Sequence, residues 1–335
     1  MKKHVLNWRL SILLSLGFLF VASLYSLCSG SADIALKDII PTLLKGGGTP
    51  EFSILFDIRI PRIMLGFAVG GSLSLAGVIL QGMFRNPLVE PYTLGISGGA
   101  ALGVALCIIL GLHRISPDFA MPLFGFAGAF AVALPVSLIN IRKGMVKTEG
   151  LLLTGVMISY ISSSIVTLIL AVSRTEDLHS IIFWIMGSLE EPSRALIFII
   201  CSLSLVCLGL SYLFSLDLNA FALGEEEAIH LGINIEKTKK ILFLIASVLT
   251  GVSVSIAGII GFVGLVVPHF VRMIAGYDHR VLLVISFLTG AGFLIFCDTL
   301  ARTIISPVEL PVGVITGILG GSLFVYALSR KFLMR

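Results

Sequence analysis

The sequence predicts an all-α, polytopic membrane protein with about ten transmembrane helices. Hydrophobic residues occupy 57% of its 335 positions and charged residues only 13%, about half the share found in soluble globular proteins. The apolar residues form runs of about 20, the length at which a helix crosses a bilayer core of about 30 Å. Glycine is frequent, with 35 residues, as expected where helices pack closely in lipid. Together these observations exclude a soluble fold.

The first predicted span is Trp8–Cys28, which follows the basic start Met1–His4. A basic start before an apolar run is also typical of a signal peptide, and Leu27-Cys28 resembles a lipoprotein cleavage site. The apolar run is longer than the roughly 7–15 residues of a signal-peptide core, and the bulky Leu27 precedes the cysteine. We therefore expect an uncleaved first helix.

Nine further spans follow from the same length criterion. They are Ile63–Gly82, Leu94–Leu112, Phe119–Ile141, Leu151–Val172, Ala195–Leu216, Ile241–Ile260, Gly261–Ile274, Val281–Leu300 and Val312–Leu328. Between the fifth and sixth spans, Asp177–Leu189 is apolar but too short to cross a bilayer. We expect this segment to lie at the outer surface, either as an amphipathic helix or as a re-entrant piece.

The stretch Ile241–Ile274 is too long for one span and short for two. Three lysines precede it, and two arginines and a histidine close it at 272–280. Both ends therefore look cytoplasmic by the positive-inside rule. Because two ends on one side require an even number of crossings, we predict a hairpin that turns near Gly258 and Gly261.

Ten spans with both termini inside place fifteen of the 23 Lys and Arg residues on the cytoplasmic side. This bias agrees with the positive-inside rule. We expect a multi-pass protein of the cytoplasmic (inner) membrane with its N- and C-termini in the cytoplasm. The net charge of +4 lies in short loops and gives no indication of nucleic-acid binding.

A ten-residue pattern occurs twice. Gly70–Ile79 (GGSLSLAGVI) is matched by Gly251–Ile260 (GVSVSIAGII) 181 residues later, and the same offset superposes Pro87 on Pro268. Two helices rich in small residues can also look alike by chance, and this alternative stays open. The predicted topology makes the two copies run in opposite directions.

We therefore predict one transmembrane domain, 1–335, built from two inverted halves. Helices two to five (about 59–172) form the first and helices seven to ten (about 241–328) the second, with a cytoplasmic loop at 217–240 before the second half. Inverted halves are common in transporters, since they form a path that opens to either side.

No residue pattern indicates catalysis or a metal site. The sequence contains no GxxxxGK[ST] phosphate loop, no HExxH and no GxSxG, so the chain is not expected to be an enzyme or to hydrolyse ATP itself. The cysteines lie in apolar stretches without CxxC spacing, which indicates neither disulfides nor metal ligands. They are Cys28, Cys107, Cys201, Cys207 and Cys297.

The first of three polar clusters is the loop Asn219–Asn234. It predicts a short amphipathic helix with three glutamates in its first turn, which the helix dipole favours, and a glycine at each end. Such a loop can serve as a binding site for a partner protein. A solvated interfacial helix is the alternative.

The other two clusters lie at the predicted outer surface. Arg59 and Arg62 run against the positive-inside trend, which points either to a negatively charged partner or to snorkelling into headgroups. Asp298 and Arg302 lie four residues apart on one helix face and can pair. A charge within a membrane span indicates function, and a structural ion pair is the equal alternative.

At these same residues the sequence resembles the permease subunits of ABC importers for iron–siderophore complexes, haem and cobalamin. The similarity covers nearly the whole chain in the correct order, and the combination of RNPL, GFVGLVVPH and DHR is highly specific. The matching segments are 59–103, 151–159 (LLLTGVMIS), 183–189 (FWIMGSL), 222–234 (ALGEEEAIHLGIN), 251–280 and 309–321 (ELPVGVITGILGG).

The resemblance implies roles for individual residues. Arg59, Arg62 and Arg302 match outer arginines that pair with glutamates on an extracytoplasmic binding protein. The residues that match the helix coupling the permease to its ATPase are Ala222, Leu223, Gly224, Glu225, Glu226, Glu227, Ala228, Ile229, His230, Leu231 and Gly232. Those that match the cytoplasmic gate are Asn86, Leu88, Thr148 and Glu149, although a small polar residue is more usual than glutamate at position 149.

The resemblance also implies partners and a mechanism. The partners would be two copies of a cytoplasmic ATPase, a binding protein, a second copy of this chain and a metal-chelate cargo. ATP and Mg²⁺ would be bound by the ATPase, and no cofactor or metal by this chain. Importers of this kind work by ATP-driven alternating access.

Two other classes stay open from the residues alone. A secondary transporter driven by a proton or sodium gradient would use Asp298 as its coupling carboxylate. It would leave the outer arginines and the loop at 217–240 without a purpose. A purely structural membrane scaffold would leave the repeated pattern unexplained.

Overall fold

The computed structural model describes residues 7–30, 34–46, 48–116, 118–140, 148–190 and 193–333. Within these ranges the chain forms helices joined by turns and short connections, and no β-strand occurs. The all-α prediction is therefore confirmed.

The α-helices are numbered here in chain order. They are α1 (Trp8–Cys28), α2 (Leu36–Lys45), α3 (Pro50–Ser53), α4 (Ile60–Met83), α5 (Ile96–Ile109), α6 (Ala120–Asn140), α7 (Thr148–Val172), α8 (Thr175–Met186), α9 (Arg194–Leu213), α10 (Ser215–Leu223), α11 (Glu225–His230), α12 (Ile235–Ala257), α13 (Val263–Ala275), α14 (His279–Thr303) and α15 (Val312–Leu333). A π-helical turn, Ile54–Arg59, leads into α4, and the 3-10 turns Pro91–Leu94 and Leu112–Arg114 flank α5.

Each predicted span corresponds to one apolar helix. Among the described residues, six helices are long and apolar enough to cross a membrane, and four more apolar helices are shorter. The six lie in Trp8–Cys28, Pro50–Met83, Gly150–Val172, Arg194–Leu213, Ile235–Ala257 and His279–Thr303, and the four in Ile96–Ile109, Ala120–Val136, Val263–Ala275 and Val312–Ala327. Most of the segment Asp177–Leu189 lies in α8 (Thr175–Met186), whose 12 residues are too few to span a bilayer, as predicted.

The predicted hairpin in Ile241–Ile274 is confirmed. The α12 helix ends at Ala257 and α13 begins at Val263, and Gly258 and Phe262 both have positive φ, +69° and +68°. The non-helical chain between them lies inside the protein, because Ile260 is only 1% exposed.

Tyr92 satisfies the backbone of this break. Its hydroxyl donates to the carbonyl oxygen of Ile260 at 2.9 Å and accepts from the amide nitrogen of Ile260 at 3.1 Å. Non-helical backbone at membrane depth persists only where its polar groups find partners within the protein. No sequence pattern pointed to this role for Tyr92, since Ile260 lies 168 residues further along the chain.

The α4 helix lies at the centre of the bundle, and 83% of the residues in its most apolar stretch are buried. It packs along α14, α12, α9 and α13, while α1 packs on α14 and α5 on α6. Close packing depends on glycine: a Cβ added to Gly77 of α4 would lie 1.9 Å from the carbonyl oxygen of Gly264 in α13. Small residues at such crossings let helix backbones approach each other.

The packing of the two predicted halves is reciprocal. The α4 helix of the first half packs on α14 of the second, α12 of the second packs on α6 of the first, and α4 and α12 pack on each other. A pseudo-two-fold relation between the halves would produce such exchanged contacts. Their inversion across a membrane, and the domain bounds given above, stay predictions.

The register of the 181-residue match does not correspond to equivalent positions. Gly70–Ile79 lies entirely within α4, whereas the second copy leaves its helix after Ala257. The small residues also have different surroundings: Gly70 faces the Gly290 carbonyl, while Gly251 faces the Ala129 and Phe126 side chains. The 181-residue offset therefore does not relate equivalent positions of the two helices, and the relation between the two halves stays a prediction.

Candidate functional sites at the two ends of the bundle

The α11 helix forms the first site, and the predicted short helix is confirmed at Glu225–His230. Gly224 precedes it with φ +142°, and Gly232 follows it with φ +83°. Both backbone conformations favour glycine, so each glycine fixes one end of the helix. All three glutamates of the first turn are exposed.

The α11 helix is anchored to the start of α12. Ala228 is fully buried, and its carbonyl oxygen accepts from the amide nitrogen of Ile233 at 3.1 Å. Lys239 of α12, whose side chain is 2% exposed, lies 2.7 Å from the Glu225 carboxylate. The α12 helix packs on α4 and α6, so it connects α11 to the middle of the bundle.

The outer face of α11 and its flanks is apolar and exposed. Leu223, Ile229 and Leu231 are 65%, 60% and 63% exposed, beside the exposed Glu226 and His230. Contiguous exposed apolar side chains in a loop with a polar rim are typical of a protein–protein contact.

Two of the four predicted gate residues form a turn at the same end. The Asn86 side-chain oxygen accepts from the Leu88 amide nitrogen at 2.9 Å, which fixes the connection after α4, and Leu88 is 57% exposed. Thr148 and Glu149 begin α7, and their side chains lie outside the described part of the structure.

The opposite end of the bundle carries a buried ion network centred on Arg62. The Arg62 side chain is 7% exposed and lies 2.7 Å from the Glu309 carboxylate, 3.7 Å from that of Glu190 and 3.8 Å from that of Asp298. The network therefore joins α4 to α14 and to the chain segments that follow α8 and α14.

The predicted pairing of Asp298 with Arg302 is part of this network. The Arg302 Nε atom donates to the Asp298 carboxylate at 3.0 Å, and its Nη2 donates to the Ser26 hydroxyl of α1 at 2.9 Å. Both side chains are almost completely buried, with 6% and 4% exposed. Arg59 is 2% exposed and donates to the Leu27 carbonyl oxygen, also in α1.

The predicted role of Arg59, Arg62 and Arg302 in docking a binding protein stays a prediction, and the structure shows all three paired within this chain. All three are at least 94% buried, because carboxylates and carbonyls of this chain occupy them. The exposed members of the network are two of its three acids: the Glu190 side chain is 75% exposed and that of Glu309 47%.

Comparison with known proteins places the chain in a family. Residues 18–330 match the FecCD transport family. The hemin transport system permease protein HmuU of Yersinia pestis is 37% identical over 330 residues, which is 97% of this chain and 98% of that protein. The vitamin B12 import system permease protein BtuC of Salmonella typhi is 36% identical over 334 residues, 98% of this chain and 97% of that protein.

A solved structure shares the fold. It is described as an inward-facing conformation of a metal-chelate type ABC transporter, and it superposes with a TM-score of 0.84 at 29% identity, covering 96% of this chain and 99% of that one. The shared fold, the apolar helices and the relatives agree with one another. The chain belongs to the FecCD transport family and is a multi-pass membrane permease of an ABC importer.

Proposed function

We propose that two copies of this chain form the pathway of an importer that carries a metal chelate across the cytoplasmic membrane, with an iron–siderophore complex as its cargo. The observation that carries the proposal is α11, an exposed apolar and acidic helix tied through Lys239 to the helix that packs on α4 and α6. An exposed helix of this kind is useful to a transporter when a protein in the aqueous phase binds it and moves the helical bundle.

The named relatives support the cargo class. Their names give hemin and vitamin B12 as their substrates, and the similar structure is of metal-chelate type. A further relative, at 35% identity over 306 residues, is the Fe(3+)-citrate import system permease protein YfmD of Bacillus subtilis. Iron complexes are thus one cargo class among these relatives, with haem and cobalamin as the alternatives for this chain.

The energy source in this proposal is a separate ATPase, present in two copies, which binds ATP and Mg²⁺. The chain itself contains no phosphate-binding loop of the GxxxxGK[ST] type, so we assign it no ATP hydrolysis. In this proposal the ATPase docks on Leu223, Ile229 and Leu231, so α11 lies in the cytoplasm, and we infer that both chain termini lie on the same side. The opposite end of the bundle, which carries Arg59, Arg62 and Arg302, then faces the outside.

A binding protein loaded with cargo would dock at this outer end of the bundle. Its own glutamates would take the place of carboxylates that pair with Arg62 in this chain. Arg62 has one buried partner, Asp298, and two exposed partners, Glu190 and Glu309. Because the Glu190 and Glu309 side chains are 75% and 47% exposed, glutamates of a docking protein can reach this end of the network and replace them as partners of Arg62. Asp298 stays paired with Arg302 throughout, which leaves it unsuited to the coupling role that a gradient-driven transporter would require.

The pathway in this proposal lies between the two copies. The α7 helix is apolar yet only 22% of its span is buried within one copy, as expected for a helix that faces either lipid or a second subunit. Weak apolar contacts suit a bulky chelate, because tight binding inside a pathway slows release. The four predicted gate residues would close the cytoplasmic end of this pathway.

The cargo is tested by identifying what the cognate binding protein carries. We expect mass spectrometry of that protein, purified from iron-limited cells, to find a bound iron–siderophore complex that also competes for uptake. A bound haem or cobalamin would redirect the cargo within the chelate class. A bound sugar, amino acid or peptide would contradict the metal-chelate proposal.

A further inference from the structure

A cavity of about 430 Å³ lies at the α11 end, between the end of α4, α10, α13 and the start of α14. Two arginines and two histidines line it, and no carboxylate does: the basic residues are Arg85, Arg272, His269 and His279. A concave site with this composition attracts an anion. Ala222 of the coupling segment and Pro87 of the gate turn also line the cavity, but neither predicted role uses its four basic residues.

The two arginines keep donors available for a ligand. Gln81 accepts from the Arg272 guanidinium and donates to the Gly264 carbonyl oxygen at 3.1 Å, which fixes the position of one of the five N–H donors. Arg85 is exposed and follows the end of α4 with φ +51°. In the described part of the chain, neither arginine forms an ion pair with a carboxylate.

A chain of three side chains sets the tautomer of His279. The Asn219 amide nitrogen donates to the Asp278 carboxylate at 3.0 Å, so the Asn219 oxygen faces the His279 Nδ1 atom at 2.8 Å. The hydrogen bonds from the Arg280 side chain hold the pKa of Asp278 below its usual range, so this carboxylate is an acceptor only. The proton of the neutral His279 ring must therefore lie on Nδ1.

This tautomer leaves His279 Nε2 as an acceptor. The residue is 5% exposed, and Nε2 has no hydrogen-bond partner within the described structure. His279 and Gly82 both line the cavity, and the buried Nε2 atom lies close to Gly82, where an added Cβ would be 2.8 Å from it. A ligand that satisfies the whole site must therefore combine negative charge, for the arginines, with a hydrogen to donate to Nε2.

We propose that this cavity binds a phosphate group that carries a hydrogen, as inorganic phosphate does at neutral pH and a phosphate monoester does in its singly charged form. Guanidinium groups match the geometry of phosphate oxygens, and the P–OH group supplies the donor that His279 Nε2 lacks. A carboxylate or a sulfate at neutral pH brings the charge without the hydrogen. Free phosphate and the monoester headgroup of phosphatidic acid share this chemistry.

The test is a titration of the full-length protein in phosphatidylcholine nanodiscs. We expect inorganic phosphate to bind saturably, measured by calorimetry and by the shift in unfolding temperature, and sulfate to bind at least about tenfold more weakly. The Arg85→Gln variant is expected to bind phosphate about tenfold more weakly. Because the Arg85 side chain is exposed, its loss leaves the fold intact.

Lys237→Gln is the matched control, since it removes one exposed positive charge from the same end of the bundle and should leave the affinity unchanged. Nanodiscs with phosphatidic acid identify the source: protection from unfolding by this lipid, lost in Arg85→Gln, assigns the site to the headgroup. Absence of saturable phosphate binding in both lipids would overturn the proposal. So would equal affinity for sulfate, or equal weakening in Lys237→Gln.

Discussion

The double substitution Ile229→Asp and Leu231→Asp should release the ATPase and lower ATP-driven uptake by at least about 100-fold. Both side chains are more than half exposed in this chain, so aspartate is tolerated when the permease folds. Burying one such side chain contributes about 1.5–3 kcal/mol, and a buried unpaired carboxylate adds a cost of its own. Two lost anchors therefore exceed about 3 kcal/mol.

The measurement is copurification of the ATPase with the tagged permease, followed by uptake in proteoliposomes. Lys237→Ala is the control, since it alters an exposed side chain at the same end outside the apolar face. The two variants should share the unfolding temperature of the wild type. A double variant that retains the ATPase and normal uptake would contradict the assignment of α11 as the docking helix.

Asp298→Leu is expected to have the largest effect on stability. It leaves Arg62 and Arg302 buried, with side-chain exposures of 7% and 4%, beside an apolar group. Breaking a buried ion pair by removal of one partner costs roughly 3–5 kcal/mol. We expect a sharp fall in the yield of folded protein and in its unfolding temperature in detergent.

Glu190→Gln is the matched control for Asp298→Leu. Glu190 belongs to the same network, but its side chain is 75% exposed and its distance to Arg62 is 3.7 Å, so its removal should cost less than about 1 kcal/mol. An Asp298→Leu protein that unfolds at the wild-type temperature but has lost transport would contradict the structural role of Asp298. It would favour a coupling carboxylate instead.

The sequence was sufficient for the features that depend on local pattern. Span lengths follow from run lengths of apolar residues, and the hairpin at Gly258 follows from the side of the flanking charges. A short helix within the loop Asn219–Asn234 was predicted, and α11 lies there, because its signals, glycines at each end and three glutamates in the first turn, all lie within nine residues.

The features that the sequence did not predict depend on contacts between distant parts of the chain. Arg62 is separated by 247 residues from Glu309, and nothing local distinguishes an arginine that such partners will bury from one that stays exposed. Tyr92 reads as one of six tyrosines until the chain brings it to the break at Ile260. The sequence match pairs Gly70 with Gly251, but these two residues do not occupy equivalent positions. Such matches arise because small residues recur wherever helices cross closely.

Uptake in proteoliposomes tests the central claim, that an external ATPase moves this bundle to import cargo. The vesicles contain the chain and enclosed ATPase and ATP, with a loaded binding protein outside. We predict uptake that requires both the ATPase and ATP and that persists when ionophores collapse proton and sodium gradients. Uptake by this chain alone, driven by an ion gradient and abolished by the ionophores, would contradict the claim.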